Sequence, residues 1–290
     1  MIPSVSVVIP AYNASRTIAS SIESVRTVLG AVRIIVVDDG STDATAAEAA
    51  ALGAEVIVQT NQGASKARAR GLDAVETELV IALDSDDELD SGMEAAIRTI
   101  AAREDVSVVG GAISTIDAER RVTRRGRTLD ASISTAELLN EPKSPWPPCA
   151  AVWRTSALRA ADRVAHPHLR PPFAEDYELL IRASLVGRVV SVPAYTARYR
   201  SLGGKSTVRA VDALRCAEKI RQHYATYLGL AAEPVGEATL RRWAAWRVFR
   251  GRQAERGLAK AVASTLASPG ATLDVLTEAA FRVAARWSGR

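Results

Sequence analysis

The sequence predicts an α/β protein whose mostly parallel, doubly wound sheet is followed by an all-helical C-terminal extension. Short runs rich in valine and isoleucine alternate with helical patterns through the first 110 residues, which is typical of βαβ units. Beyond residue 206 the apolar spacing becomes wholly helical. We therefore predict an α/β domain over residues 1–205 and a helical module over 206–290.

Each predicted element rests on apolar spacing and on the signal that ends it. Residues 5–9 are apolar except for one serine and stop at Pro10, which indicates a strand buried on both faces. The helix that follows has its isoleucines and valine on one side and ends at Gly30. The same reasoning gives, in order, a strand at 33–37, a helix at 42–52, a strand at 54–58, a helix at 64–75, a strand at 78–83, a helix at 92–102 and a strand at 106–110.

The pattern is less regular after residue 111. An irregular strand or hairpin is predicted at 113–122 and a proline-rich loop at 141–148. After these come, in order, a helix at 177–185, strands at 189–192 and 195–199, and helices at 207–228, 236–257 and 272–287.

Composition excludes several classes of protein. Cys149 and Cys216 lie far apart, so the chain has no disulfide framework, and this usage suits a reducing cytoplasm. No secretory signal is recognisable, and no apolar run approaches the ~18 residues of a membrane-spanning helix. The net charge is +4, but residues 207–290 hold 14 Lys or Arg against 7 Asp or Glu. This asymmetry indicates a second module that faces an anionic partner.

The chemistry is expected at the carboxyl ends of the strands, where open α/β sheets bind their ligands. The segment Asp84-Ser85-Asp86-Asp87 follows the fourth predicted strand and carries three carboxylates. These repel one another unless a cation or solvent screens them. Their hard oxygens suit Mg²⁺ or Mn²⁺, which would also recruit substrate phosphates. The alternative is a solvated acidic turn that caps the next helix.

Other polar residues near the strand ends have two interpretations each. Tyr12 is suited either to stacking on a base or to packing, and the Asp39-Gly40 pair either to a turn or to contact with a base or ribose. The cation of Arg68 lies at the start of a helix, where it opposes the macrodipole and needs an anion or solvent. No G-x-G-x-x-G or P-loop motif is present, which disfavours dehydrogenases and P-loop kinases.

Taken together, these segments resemble the family 2 inverting glycosyltransferases of the GT-A fold, which is Rossmann-like. No single segment is specific, but their order along the chain is. The segments that carry the resemblance are 5–13, 35–43, 61–63 with Ala67 and Arg68, 82–87, and 173–182.

The resemblance implies that the protein moves a sugar from a nucleotide-diphosphate sugar, with a UDP-sugar as the expected donor, to an acceptor hydroxyl. In the family pattern Asp84 and Asp86 match the D-x-D motif, with Asp86 as the ligand of Mn²⁺ or Mg²⁺ and Asp84 facing the ribose or the metal's water. Asp176 matches the catalytic base, and Glu175 lies beside it near the acceptor. The residues implied to bind the nucleotide-sugar are Pro10, Ala11, Tyr12, Asp39, Arg68, Asp84, Ser85 and Arg200.

Two departures from the family pattern concern the donor site. Ala69 stands where the family often has asparagine, and Leu202 where it often has histidine. Arg200 and Lys205 are candidates to hold the diphosphate instead, or the glycines at 203–204 allow the loop to close over the donor. Strict dependence on a metal is therefore left open. The Glu175-Asp176 pair also has the simpler interpretation of a helix N-cap.

The basic C-terminal module is left with two interpretations. Residues 241–252 mix tryptophan with arginine on a predicted helix. They form either an interfacial segment at the inner face of the membrane, touching anionic lipid or a lipid-linked acceptor, or a helix that Trp243 and Trp246 pack onto the first domain. Glycans and small molecules are the other candidate acceptors.

Rival functions belong to two other classes. A sugar-nucleotide nucleotidyltransferase shares the βαβ architecture, but it would have a glycine- and arginine-rich loop after the first strand. A non-catalytic sugar-nucleotide binder would recruit partners through the helical module. Nucleic-acid binding is not expected, because the predicted cleft is acidic, and the oligomeric state is not predicted.

Overall fold

The computed structural model describes residues 3–164, 169, 172–200, 209–256, 262, 265 and 272–280. The predicted module boundary near residue 205, together with Leu202, the glycines at 203–204 and Lys205, lies outside the described residues, as does the 281–287 end of the last predicted helix.

Ten strands and nine α-helices, with one 3₁₀ turn at Pro148–Ala150, are defined over the residues that the structure describes up to 256. The strands are β1 (Val5–Ala11), β2 (Arg33–Asp38), β3 (Glu55–Val58), β4 (Leu79–Ala82), β5 (Glu88–Leu89), β6 (Val106–Ile116), β7 (Val122–Arg125), β8 (Ala131–Ile133), β9 (Ala151–Arg154) and β10 (Arg188–Arg200). The helices are α1 (Ile18–Leu29), α2 (Thr45–Ala51), α3 (Ala64–Asp73), α4 (Met93–Ala101), α5 (Thr135–Leu138), α6 (Thr155–Asp162), α7 (Glu175–Ser184), α8 (Ala210–Tyr227) and α9 (Glu237–Arg256). Residues 272–280 are also helical.

All ten strands join one sheet, in the order β3-β2-β1-β4-β9-β6-β10-β5, with β7 paired to β6 and β8 to β10. The run β3-β2-β1-β4 is parallel throughout. In this run Ala11 and Asp38 are register partners, so the polar segments after β1 and β2 leave the sheet side by side. The predicted α/β fold with helices at its C-terminus is confirmed.

The second half of the sheet differs in detail from the prediction. The short strand β9 is antiparallel to both β4 and β6 and separates them. Strand β6 continues to Ile116 and forms a hairpin with β7. The two strands predicted at 189–192 and 195–199 are one strand, β10, with register shifts where it bends. Such shifts break the period-2 pattern that sequence analysis relies on.

Helix α3 lies unusually close to the sheet. A Cβ atom built on Gly71 would come within 2.3 Å of Val8 Cγ1 and 3.0 Å of Val37 Cγ2. Ala67, one turn earlier, is also fully buried. The small residues let the helix backbone approach β1 and β2, which places the neighbouring Arg68 near the strand ends.

The C-terminal helices belong to two packing clusters. Ala217, Ile220 and Tyr224 of α8 lie in the same hydrophobic core as the sheet. A second, smaller cluster joins α8 to α9, and Trp243 packs against it. Trp243 therefore packs between the two C-terminal helices, and its packing onto the first domain stays a prediction. Within the described residues, no helix combines the length and apolar character needed to cross a membrane.

The contact between Gly110 and Trp146 gives a test of the core. A Cβ at Gly110 would lie 2.2 Å from Trp146 Cε2, inside a buried strand where the rigid ring has little room to move. We expect G110A to lower the free energy of unfolding by about 1–3 kcal/mol, measured by urea denaturation. In a W146L background the same substitution should cost less. An equal cost in both backgrounds would show that the ring contact is not the cause.

Candidate functional site

The loops after β1 and β2 are bound to each other by side chain–backbone hydrogen bonds. The Asn13 backbone N–H donates to Ser41 Oγ (2.9 Å), and the Thr42 N–H donates to Asn13 Oδ1 (2.8 Å). Asn13 adopts a positive φ of 48°, a conformation that asparagine tolerates better than most residues. Pro10 and Ala11 before it are buried, whereas Tyr12 is 50% exposed. An exposed aromatic ring therefore stands at the strand ends.

Asp39 holds the loop that precedes α3. Its side chain is buried and accepts hydrogen bonds from Gln59 Nε2 (2.7 Å) and from the backbone N–H groups of Gln62 (2.8 Å) and Gly63 (2.8 Å). Two segments that the sequence singled out separately, 35–43 and 61–63, are thus one structural unit. Contact of Asp39 with a base or ribose stays a prediction.

Arg68 connects two acidic segments. Its Nη2 donates to Asp84 Oδ1 at 2.8 Å and its Nη1 donates to Glu175 Oε1 at 3.0 Å. Its side chain is 14% exposed. Burial lowers the pKa of the guanidinium, but Asp84 and Glu175 outweigh it, so that the pKa is raised and the group stays charged. These two carboxylates are the anions that the position of Arg68 on α3 requires.

Helix α7 begins in a strained conformation two residues before the predicted base Asp176. Ala174 is its N-cap residue and has a left-handed backbone with φ 61° and ψ 29°, which costs a non-glycine residue on the order of 1 kcal/mol. Glu175 and Asp176 are the first two residues of the helix, so neither occupies the N-cap position of the alternative interpretation. Their charges face the positive end of the helix dipole.

The pKa of Asp176 is shifted upwards. Burial and the neighbouring charge of Glu175 together raise it to about 6, although Arg68 opposes the shift. A carboxylate with a pKa near 6 is largely ionised at neutral pH and still holds a proton better than an ordinary aspartate. This is the property of a general base.

The predicted metal ligands Asp84 and Asp86 lie in the loop after β4, and their binding of a divalent cation stays a prediction. Burial and the like charge of Asp84 together raise the pKa of Asp86 to about 6, although Arg200 opposes the shift. A cation beside the pair would remove this repulsion. Over the part of the chain that the structure describes, no group of three or more His, Cys, Asp or Glu side chains could hold a metal ion. Two carboxylates with water and phosphate oxygens are a common Mg²⁺ environment.

Arg200 lies under the acidic loop instead of facing outwards. Its side chain is 5% exposed, and its Nε donates to the Asp86 carbonyl (2.9 Å) while its Nη1 donates to the Asp117 (3.3 Å) and Ala118 (3.2 Å) carbonyls. Its Nη2 lies 3.5 Å from Glu88 Oε1. This placement does not support the expected contact between Arg200 and a diphosphate, because the guanidinium is committed to the protein.

Two acids of this loop are buried beneath it: Asp87, which the sequence grouped with Asp84 and Asp86, and Glu88, which it did not single out. Asp87 Oδ1 accepts the Arg200 backbone N–H at 2.8 Å, and burial raises the pKa of Asp87 well above its usual value. Glu88 is 1% exposed and pairs with Arg120 at 2.7 Å and Arg198 at 3.1 Å. These contacts fix the loop from below. No sequence pattern shows them, because the partners lie about 30 and 110 residues away.

The structure therefore brings most of the predicted residues to one region. Arg68 links Asp84 with Glu175, and Asp176 follows Glu175. Ser85 lies in the same acidic loop, and its carbonyl accepts the Ser21 hydroxyl at 3.0 Å. Arg200 supports this loop from inside.

Comparison with known proteins gives a family match. The sequence profile described as glycosyl transferase family 2 matches residues 6–160, which is more than half of the chain. The chain is also similar to the uncharacterized glycosyltransferase YibD of Escherichia coli strain K12, with 37% identity over 110 residues, or 36% of this chain and 32% of that protein. It spans about a third of YibD and comparably small shares, 38% and 40%, of two further curated relatives.

Two solved structures share the fold at low sequence identity. S. aureus TarS, residues 1–349 in complex with UDP-GlcNAc, has a TM-score of 0.59 and 20% identity, covering 87% of this chain and 74% of that one. The mannosyltransferase PcManGT from Pyrobaculum calidifontis, in complex with GDP-Man and Mn²⁺, has a TM-score of 0.57 and 17% identity, covering 98% and 81%.

The raised pKa of Asp86 predicts how stability depends on pH. An acid with a pKa of about 6 in the folded protein and 3.8 otherwise stabilises the fold below pH 3.8, and this contribution is lost as the pH rises through 6. We expect D86N to raise the free energy of unfolding by about 1–3 kcal/mol near pH 7.5, and by less near pH 4.5, in urea titrations with EDTA.

Asp43 provides a control of opposite sign. The Thr45 hydroxyl lowers the pKa of Asp43 to about 2, so its contribution is present above pH 3.8 and is lost as the pH falls through 2. D43N should therefore reduce stability near pH 7.5. If D86N also reduced stability there, the interpretation of Asp86 as a repelled carboxylate would be wrong.

Proposed function

The chain belongs to glycosyl transferase family 2, and we propose that it transfers a sugar from a nucleotide-diphosphate sugar to an acceptor hydroxyl. The reaction is a single displacement at the anomeric carbon, which inverts the configuration there. Asp176 is the base, and Glu175 lies beside it at the acceptor side.

The observation that carries this proposal is the double contact of Arg68. One guanidinium holds Asp84 at 2.8 Å and Glu175 at 3.0 Å. The acidic loop that would hold the metal of a donor diphosphate and the helix end that carries the candidate base thus lie on two sides of one side chain. A displacement needs this separation, because the base must approach from the face opposite the leaving group.

Asp176 would act on the acceptor hydroxyl. As its carboxylate takes the hydroxyl proton, the oxygen forms a bond to the anomeric carbon, and the bond from that carbon to the diphosphate oxygen breaks. The nucleoside diphosphate leaves with the electron pair. A pKa of about 6 leaves Asp176 ionised before the reaction at neutral pH and able to hold the proton during it.

The donor would lie along the strand ends. Pro10, Ala11, Tyr12 and Asp39 would receive the base and ribose, and Ser85 would contact the sugar-diphosphate. Asp86 and Asp84 would hold Mn²⁺ or Mg²⁺, which when bound neutralises charge on the diphosphate. The family pattern favours uridine, but the similar structures were solved with UDP-GlcNAc and with GDP-Man, so the base is an outcome of the test below.

The acceptor is a glycan, a lipid-linked molecule or a small molecule. The two free cysteines favour a cytoplasmic location, and the basic helix α9 is the candidate for peripheral contact with the inner face of the membrane. A nucleotidyltransferase is not supported by the family match. A non-catalytic sugar-nucleotide binder is the remaining alternative.

Replacing the proposed base separates catalysis from binding. We expect D176N to lower kcat by about 10²- to 10⁴-fold, measured by release of the nucleoside diphosphate, with the donor Kd unchanged by calorimetry. The wild-type kcat should fall below about pH 6 as Asp176 becomes protonated. D73N, at an exposed position at the end of α3, is the matched control. Full turnover by D176N would rule out Asp176 as the base, and donor binding without any wild-type turnover would favour the non-catalytic binder.

A panel of nucleotides tests the donor site. We expect UDP, GDP or one of their sugars to raise the Tm, by an amount equivalent to about 2.7 kcal/mol at a hundredfold excess over Kd, and Mn²⁺ to increase the shift. D86N should lose the Mn²⁺-dependent part, whereas D73N should keep it. If no nucleotide raises the Tm with any metal, the proposed donor site is wrong.

A further inference from the structure

A fully buried hydrogen-bonded cluster joins helix α7 to the C-terminal helix α8. The hydroxyl of Tyr224 on α8 donates a hydrogen bond to Glu178 Oε1 (3.0 Å) and accepts one from Arg182 Nη1 (2.9 Å). All three residues are buried: Tyr224 is 0%, Glu178 4% and Arg182 1% exposed. One hydroxyl thus stands between two buried charges of α7.

The rest of the cluster reaches the chain before α7. Arg182 Nε donates to the Ala161 carbonyl (2.9 Å) and its Nη2 donates to the Val164 carbonyl (3.2 Å), while Glu178 Oε1 also accepts the Leu169 N–H (2.9 Å). Removing the tyrosine hydroxyl would take one hydrogen-bond partner from each of Glu178 and Arg182. Inside the protein water cannot easily replace that partner, so the loss is costly. The cluster therefore fixes α7 against α6 and α8 together.

The tyrosine is suited to this role because it remains protonated. Burial raises the pKa of Tyr224 to about 12, although the hydrogen bond from Arg182 lowers it. At neutral pH the hydroxyl can donate and accept at the same time. Phenylalanine would fill the same volume without either bond.

The cluster acts on the turn of α7 that carries Asp176. Glu178 lies two residues after Asp176, within the first turn of the helix. Between them, Tyr177 is 1% exposed and its hydroxyl donates to the Leu138 carbonyl at 2.7 Å. The two residues that follow Asp176 are thus both held by buried hydrogen bonds. Catalytic groups need this support, because small displacements have large effects on rate.

A second contact from α8 supports the same turn. Arg221 Nη1 donates to the Leu139 carbonyl at 3.1 Å, and its Nε lies 2.7 Å from Glu218 Oε2. Leu139 adjoins Leu138, whose carbonyl receives the Tyr177 hydroxyl. Helix α8 therefore holds α7 directly, through Tyr224, and indirectly, through the segment that Tyr177 binds.

We propose that Tyr224 is a positioning residue through which the C-terminal extension fixes the orientation of Asp176. The proposal rests on the proposed role of Asp176 as the base. It makes α8 part of the catalytic apparatus, although the helix contributes no group to the reacting atoms.

The full-length Y224F variant tests this inference, with Y227F as the matched control, because Tyr227 lies on the same helix and is 46% exposed. We expect Y224F to lower kcat by about 10- to 100-fold at an unchanged donor KM, measured well below its Tm. A merely structural role would lower the Tm and leave the kcat of the folded protein unchanged. Y227F should resemble the wild type in kcat, KM and Tm.

A second variant guards against failure of Y224F to fold. R182K keeps the charge near Glu178 but cannot make all the bonds to Tyr224, Ala161 and Val164, so it should lower kcat at constant KM as well. If both variants fold and both retain the wild-type kcat, Tyr224 does not position the base.

Titration of Asp176 distinguishes this failure from failure of the proposed function. The carboxyl carbon of Asp176 can be followed by NMR in wild type, Y224F and Y227F without any turnover. We expect the pKa of Asp176 to fall from about 6 towards its usual value only in Y224F, since a loosened helix end admits water. An unchanged pKa would overturn the proposal even if the wild type has no transferase activity, and a shifted pKa in an inactive wild type would contradict only the proposed function.

Discussion

The candidate site depends on a single buried cation. Without Arg68, the acidic loop after β4 and the acidic start of α7 would bring like charges together in a partly desolvated place, and the pKa values of their carboxylates would rise. With it, Asp84 and Glu175 each gain an ion pair at about 3 Å, and Asp176 stays ionisable near neutral pH. The same contact sets the distance between the acidic loop after β4 and the start of α7.

Arg68 can do this because of how α3 packs. Gly71 and Ala67 let the helix approach β1 and β2 closely, and the preceding loop is fixed by the three hydrogen bonds to Asp39. The guanidinium therefore has little freedom in where it can reach. A larger residue at position 71 would push the whole helix outwards, so a packing requirement in the core becomes a geometric requirement in the site.

How far the sequence predicts this arrangement depends on the range of the interactions. The parallel run β3-β2-β1-β4 and its polar strand ends follow from local patterns, because alternating apolar strands and helices permit few topologies. Strand β9, four residues long after a proline-rich loop, has no such signal. The sequence does not identify the partners of Arg68 either. A cation near the start of a helix requires an anion, but Glu175 lies 107 residues away along the chain, and only the fold brings it to Arg68. For Arg200 the sequence suggested a contact with the nucleotide-sugar. In the structure its side chain is buried and donates to the Asp86 carbonyl instead.

The C-terminal third is one module by its composition but not by its packing. The two acidic residues of α8 are paired within it, Asp212 with Arg215 and Glu218 with Arg221. Arg215 also pairs with Glu237 of α9, and the apolar face of α8 completes the core of the sheet. The positive excess is concentrated on α9, which has six arginines and two glutamates. By packing, the C-terminal third therefore divides between α8 and α9: α8 holds α7 through buried hydrogen bonds, whereas α9 carries most of the net positive charge.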